Sequence, residues 1–121
     1  MISWLAVGIG GAIGSIVRYL VGEWATGKLG AAFPWGTLFI NGLGSLVLGV
    51  IVGATAAGRL PPSGKLLLGT GFCGGFTTFS TFSVETMALL EKNEFATAAL
   101  YLTSSVGLGL AGAALGLFVG R

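Results

Sequence analysis

The chain has no histidine, no aspartate and a single cysteine, Cys73. Charged residues fill only 8% of its 121 positions. Each shortage excludes something. Without histidine, a His-based catalytic triad or a His/Cys metal site cannot be assembled. One thiol cannot close an intrachain disulfide, so nothing points to an oxidising compartment. A lone cysteine in an apolar run packs as a small hydrophobe. Ordinary soluble domains carry ~25% charged residues, and this chain cannot cover a soluble surface with so few. The six basic residues oppose four acidic ones and form no cluster, so nucleic acid is not an expected partner.

What remains is apolar. Hydrophobic residues make up 54% of the chain, with 23 glycines in addition, and the mean hydropathy is +0.94. Disorder requires the opposite composition. The sequence describes a single membrane domain. No positive side chain precedes the first apolar run and similar runs recur, so a cleaved signal is not expected.

Four runs are long enough to cross ~30 Å of hydrocarbon as helices. They cover about 2–24, 35–58, 66–90 and 95–119. The joints are a short stretch at 26–33 before Pro34, the turn GRLPPSGK, and EKNE at 91–94. Strict alternation over about ten residues, the mark of a barrel strand, is absent. The expected fold is therefore all-α, with four transmembrane helices.

Orientation is weakly specified. With four spans, Arg59, Lys65 and Arg121 lie on one side, and Lys28 and Lys92 on the other. This slight bias hardly satisfies the positive-inside rule. It leaves two readings open: noise in a small protein, or insertion both ways round followed by antiparallel pairing.

Glycines recur at four-residue spacing: Gly10/Gly14, Gly49/Gly53, Gly71/Gly75 and Gly112/Gly116/Gly120. Small-xxx-small pairs let helices pack closely. Gly8, Gly11, Ser15 and Gly22 form a further stripe on the first span. Helix packing, rather than chemistry, accounts for most of them.

Polarity within the spans is concentrated in GTGFCGGFTTFSTFSVE, residues 69–85. Gly74 and Gly75 precede Thr77, Thr78, Ser80, Thr81 and Ser83. Paired glycines followed by β-branched threonines weaken a helix. The stretch is either a helix break whose freed carbonyls suit a hard cation such as Na⁺, or a continuous helix whose hydroxyls bond back to its own carbonyls. Phe79 and Phe82 share one helix face. They are either lipid-facing or core aromatics, or rings whose positive edges meet a dehydrated anion. On the second span, Thr37, Asn41 and Ser45 form a stripe. Asn41 can donate to an anion or bond to another helix. The fourth span adds Thr97, Tyr101, Ser104 and Ser105. Donors without fixed negative charge suit anions better than cations. Arg18 and Glu85 are the deepest charges, and ionisable groups at that depth are functional candidates. Arg18 either anchors at the interface or snorkels to a water-filled mouth.

GGAIGSIVRY, PWGTLFINGLGS and GFCGGFTTFSTFSVET together resemble the CrcB/Fluc family of fluoride channels over essentially the whole chain. The resemblance implies an antiparallel, dual-topology homodimer in the inner (plasma) membrane, with the third helix broken near the bilayer centre. It implies two narrow fluoride pathways per dimer. Phe79 and Phe82 match aromatic positions lining the pathways, and Asn41 matches an amide that donates to fluoride. Ser80 and Thr81 match a polar track, while Tyr101 and Ser105 match pore-adjacent positions. Thr37, on the Asn41 stripe, belongs with the same pathway. Arg18 matches a vestibule arginine. The Gly74 and Thr77 carbonyls match the ligands of a structural Na⁺ at the dimer centre. Fluoride, the lipid bilayer and a second copy are thus the expected partners.

A competing reading is a small multidrug exporter of similar length. Such a transporter needs a carboxylate deep in the first span, where this chain has Arg18; its Glu23 lies near the span's end. A non-transporting tetraspan partner would not need polar stripes on three spans.

Overall fold

The computed structural model describes residues 2–121 and is helical almost throughout. Helix α1 (Ser3–Leu29) is followed by α2 (Trp35–Ala56). A short helix α3 (Pro62–Gly64) leads into a π-helical segment, Lys65–Cys73, and a single α-turn, α4 (Gly74–Phe76). Helices α5 (Phe79–Glu91) and α6 (Phe95–Gly120) complete the chain.

Three helices, α1, α2 and α6, are long and apolar enough to cross a membrane unbroken. The run expected at 66–90 differs: helix stops at Phe76, passes through extended Thr77 (φ −85, ψ 159) and Thr78 (φ −153, ψ 124), and resumes at Phe79. Its first half is a π-helix, a wide form usually confined to single turns. Helix α1 also continues through the start of the expected joint to Leu29 and ends at Gly30 (φ 82), whose left-handed backbone glycine adopts without strain. After α5, the positive φ at Asn93 (60) reverses the chain, a conformation that asparagine tolerates better than most residues.

Backbone contact at glycines holds the helices together. A Cβ on Gly49 would lie 2.6 Å from the Ala113 carbonyl, and one on Gly53 2.7 Å from that of Leu117. Helices α2 and α6 therefore touch main chain to main chain. Gly10 and Gly14 seat α1 on the π segment in the same way, with Gly14 directly against Phe72 and Phe76. This is the packing expected of the small-xxx-small pairs. A Cβ at Gly8 or Gly22 of the other stripe would meet nothing within 4 Å, although the Gly22 backbone itself lies against Gly36.

The apolar core is small. Leu38, Leu89, Ala98 and Tyr101 are buried together, with Phe33, Phe82 and Leu90 packed on them. Much of the remaining apolar surface faces outward, including Trp4, Tyr19, Trp24, Phe79 and Phe118. A protein with so many exposed large hydrophobics has lipid or protein around it.

Candidate functional site: a helix interruption bonded from two neighbours

An unbroken α-helix would bond the carbonyls of residues 74–77 to the amides of residues 78–81. The interruption frees both sets, and buried backbone groups need other partners. The first half ends with a doubled bond: both the Thr77 N–H and the Thr77 hydroxyl donate to the Cys73 carbonyl, at 2.9 and 2.8 Å.

Asn41 of α2 bridges the gap. Its Nδ2 donates to the Thr78 carbonyl and its Oδ1 accepts from the Thr78 N–H, both at 2.9 Å. The side-chain amide thus takes the place of a neighbouring peptide. The Thr78 hydroxyl accepts from the Thr81 N–H at 3.2 Å and caps α5. Arg18 reaches in from α1, its Nε–H donating to the Gly75 carbonyl at 3.1 Å. Among the described residues, the carbonyls of Gly74, Phe76 and Thr77 and the N–H groups of Phe79 and Ser80 have no partner. Gly74 lies on the exposed side, with open space where a side chain would stand.

Hydroxyls also bond back along their own helices: Ser83 to the Phe79 carbonyl, Thr86 to that of Phe82, and Ser104 to that of Leu100. The two alternatives for the Gly/Thr/Ser stretch therefore coexist. The backbone is interrupted at Thr77–Thr78, and the hydroxyls beyond it serve the resumed helix.

A cavity of about 460 Å³ opens beside the interruption. Arg18, Thr37, Thr78, Thr81 and Glu85 line it, with Glu23 and Lys92 further along. Arg18, Thr37 and Thr81 of the predicted set are thus brought together. Phe82 packs on the fully buried Tyr101, ring centroids 5.1 Å apart, and Phe33 meets Tyr101 edge-on at 5.5 Å. The Tyr101 hydroxyl donates to Glu85 Oε1 at 2.9 Å, giving Glu85 a partner that sequence reading left open. Phe79 stands 6.0 Å from Phe82 but is 78% exposed, and Ser80 is exposed beside it. The Ser105 hydroxyl is buried without a hydrogen-bond partner.

Sequence reading missed the role of Thr78, which joins the Asn41 bridge and caps α5. The signal was local: a threonine just before a helical run is a standard N-cap. The Arg18–Gly75 and Asn41–Thr78 bonds span 57 and 37 residues and had no such signal.

Long apolar helices and a polar helix interruption define a multi-pass membrane protein. Residues 5–117 match the family model described as CrcB-like protein, Camphor Resistance (CrcB), and the chain belongs to that family. It is 48% identical to a Thermus thermophilus protein named fluoride-specific ion channel FluC, over 97% of this chain and 92% of the relative. A Rhizobium etli protein of the same name is 47% identical, over 100% and 98%. One from Nitrobacter winogradskyi, also so named, is 48% identical over 97% and 94%.

Proposed function

We propose that this chain is a passive fluoride channel of the plasma membrane, and not an enzyme. The observation that carries the reading is the helix interruption held by Asn41 and Arg18, in a chain matching fluoride-channel relatives along nearly its whole length. In this reading the π segment, α4 and α5 together form a third of four membrane crossings, broken near the bilayer centre. Trp4 and Trp24, both exposed, support the placement of α1. Twenty helical residues separate them, about 30 Å of rise and close to the hydrocarbon thickness, and tryptophan favours both interfaces.

Fluoride is small and strongly hydrated, so its main barrier is loss of water. Neutral donors and positive ring edges replace that water stepwise, and none binds so tightly as to prevent release. Arg18 draws the anion into the cavity, where Thr37 and Thr81 offer hydroxyls. Asn41 has one amide N–H left after its bond to Thr78. Phe79 and Phe82 present ring edges, Ser80 and Ser105 add hydroxyls to the track, and Tyr101, its own O–H given to Glu85, backs the Phe82 ring. Because hydrogen fluoride crosses lipid and ionises inside, a passive path lets the membrane potential expel the anion.

The working unit in this reading is an antiparallel homodimer with two pores. The exposed Phe79, Ser80 and Gly74 support it, since these groups need cover that one chain does not give. The unpartnered Gly74 and Thr77 carbonyls fit a hard cation, which takes oxygen ligands. One chain offers too few such oxygens, even counting the free Phe76 carbonyl, so a second copy supplies the rest of a Na⁺ shell. The ion, when bound, contributes a fixed positive charge that ties the two interruptions together.

The test is fluoride efflux from liposomes containing the purified protein, read with a fluoride electrode. Efflux of fluoride without chloride is expected; silence for both anions would defeat the reading.

A further inference from the structure

We propose that Arg18, besides drawing the anion, is a positioning residue for the helix interruption, and that it holds the interruption through its Nε–H donor to Gly75 rather than through its positive charge. Gly10, Gly14 and Arg18 lie at four-residue spacing, on one face of α1. The two glycines bring the α1 backbone against the π segment and α4; a Cβ on Gly14 would stand 2.9 Å from the Phe76 N–H. The next residue on that face therefore arrives where the helix stops. Arg18 Nε meets the Gly75 carbonyl there at 3.1 Å. Gly75 has its own α-carbon against Gly11, so its carbonyl is fixed relative to α1 on two counts.

The bond sorts the freed carbonyls. Arg18 occupies Gly75, and Asn41 occupies Thr78. Gly74 stays open before the clamped group, and Phe76 and Thr77 stay open after it. If Gly75 were released, the α4 turn would lose its hydrogen bond to α1, and the open Gly74 and Thr77 carbonyls would lose their fixed separation. This last step rests on the cation reading given above; the clamp itself does not.

Side-chain isosteres separate donor from charge. In Arg18→Gln, Nε2 occupies the bond position of the arginine Nε, so an N–H donor remains and the charge is gone. Arg18→Lys keeps the charge but puts a methylene at that position. Arg18→Met keeps the stem and loses both. The experiment is amide hydrogen exchange over residues 74–81 of the full-length protein in lipid nanodiscs, where a lost bond shows as easier local opening. Arg18→Gln should exchange within about threefold of the parent, and Arg18→Lys and Arg18→Met about tenfold faster, as expected for one missing hydrogen bond. A protected Lys variant beside a fast Gln variant would overturn the proposal in favour of charge. Equal exchange in all would overturn it altogether. If Arg18→Met does not accumulate, the Gln–Lys contrast decides alone.

A parallel Na⁺ titration followed by thermal unfolding tests the consequence for the cation. The Gln variant should keep the parent's half-saturating Na⁺, and the Lys variant should need about tenfold more, matching the exchange ratio. A parent protein indifferent to Na⁺ would remove the cation from the proposed function, while the exchange contrast would still decide the role of Arg18.

Discussion

The side-chain amide of Asn41 and the backbone of Thr78 exchange two hydrogen bonds, each 2.9 Å long. One polar residue on α2 thereby satisfies both peptide groups of the residue at which a neighbouring helix is interrupted. Replacing Asn41 with aspartate keeps the acceptor and turns the donor into a second oxygen facing the Thr78 carbonyl. Asn41→Asp should abolish fluoride flux and lower stability by about 1–3 kcal/mol, the cost of unpaired polar groups. Efflux and thermal unfolding of one preparation check both. Normal flux would remove Asn41 from the pathway.

Phe79 and Phe82 should separate transport from stability. Phe79 is 78% exposed and its loss opens little core. Phe79→Ile should reduce flux by about tenfold or more, the effect of ~1.4 kcal/mol on a barrier, with the unfolding midpoint unmoved. Phe82 packs on Tyr101. Phe82→Ala should reduce flux and also cost about 3 kcal/mol of stability, the low end for a truncated phenylalanine. Unchanged flux in both would count against a ring-edge path.

Tyr101→Phe removes the only hydroxyl bonded to Glu85 among the described residues and keeps the ring between Phe33 and Phe82. The expected loss is about 1 kcal/mol, that of one hydrogen bond to a half-buried carboxyl group. The measurement is thermal unfolding, with Tyr101→Phe/Glu85→Gln as the second mutant. A smaller loss for the pair than for the sum of the singles would show that the two groups act through one bond.

The glycines divide into two testable sets. Gly49→Val puts a branched side chain where even a Cβ lies 2.6 Å from a carbonyl on α6. It should cost at least ~1–3 kcal/mol, the usual range for overpacking, and reduce the folded protein recovered. Gly22→Ala meets open space and should be neutral or stabilising by up to ~1 kcal/mol, since alanine favours a helix interior. Should Gly22→Ala be as damaging as Gly49→Val, Gly22 would belong to a contact with another chain.

The apolar runs and their Pro/Gly joints made the helices legible, because each uninterrupted run is longer than a core helix needs. Gly49, Gly53 and Gly116 were legible as packing positions from their spacing. Gly8 and Gly22 have the same appearance in sequence, yet a side chain at either would meet open space, since spacing does not reveal which way a neighbour lies. The Gly/Thr/Ser stretch showed a weak helix without showing where it stops. That point is set by Asn41 and Arg18, which approach from other helices and leave no local pattern. The π geometry of Lys65–Cys73 had no signal either. It accompanies the contact of α1 with this segment at Gly10 and Gly71, which is a tertiary feature.

The interruption at Thr77–Thr78 also divides one helix dipole into two in series. The negative end of the first half and the positive end of α5 face each other across two residues. Opposite partial charges carried by peptide groups are thus held close together, with Asn41 and Arg18 bonded between them. Peptides do not titrate, so the contribution of these two dipoles to the local field stays constant while the pH on either side of the membrane changes. A site built from histidine or clustered carboxylates would lose or gain charge over the same range.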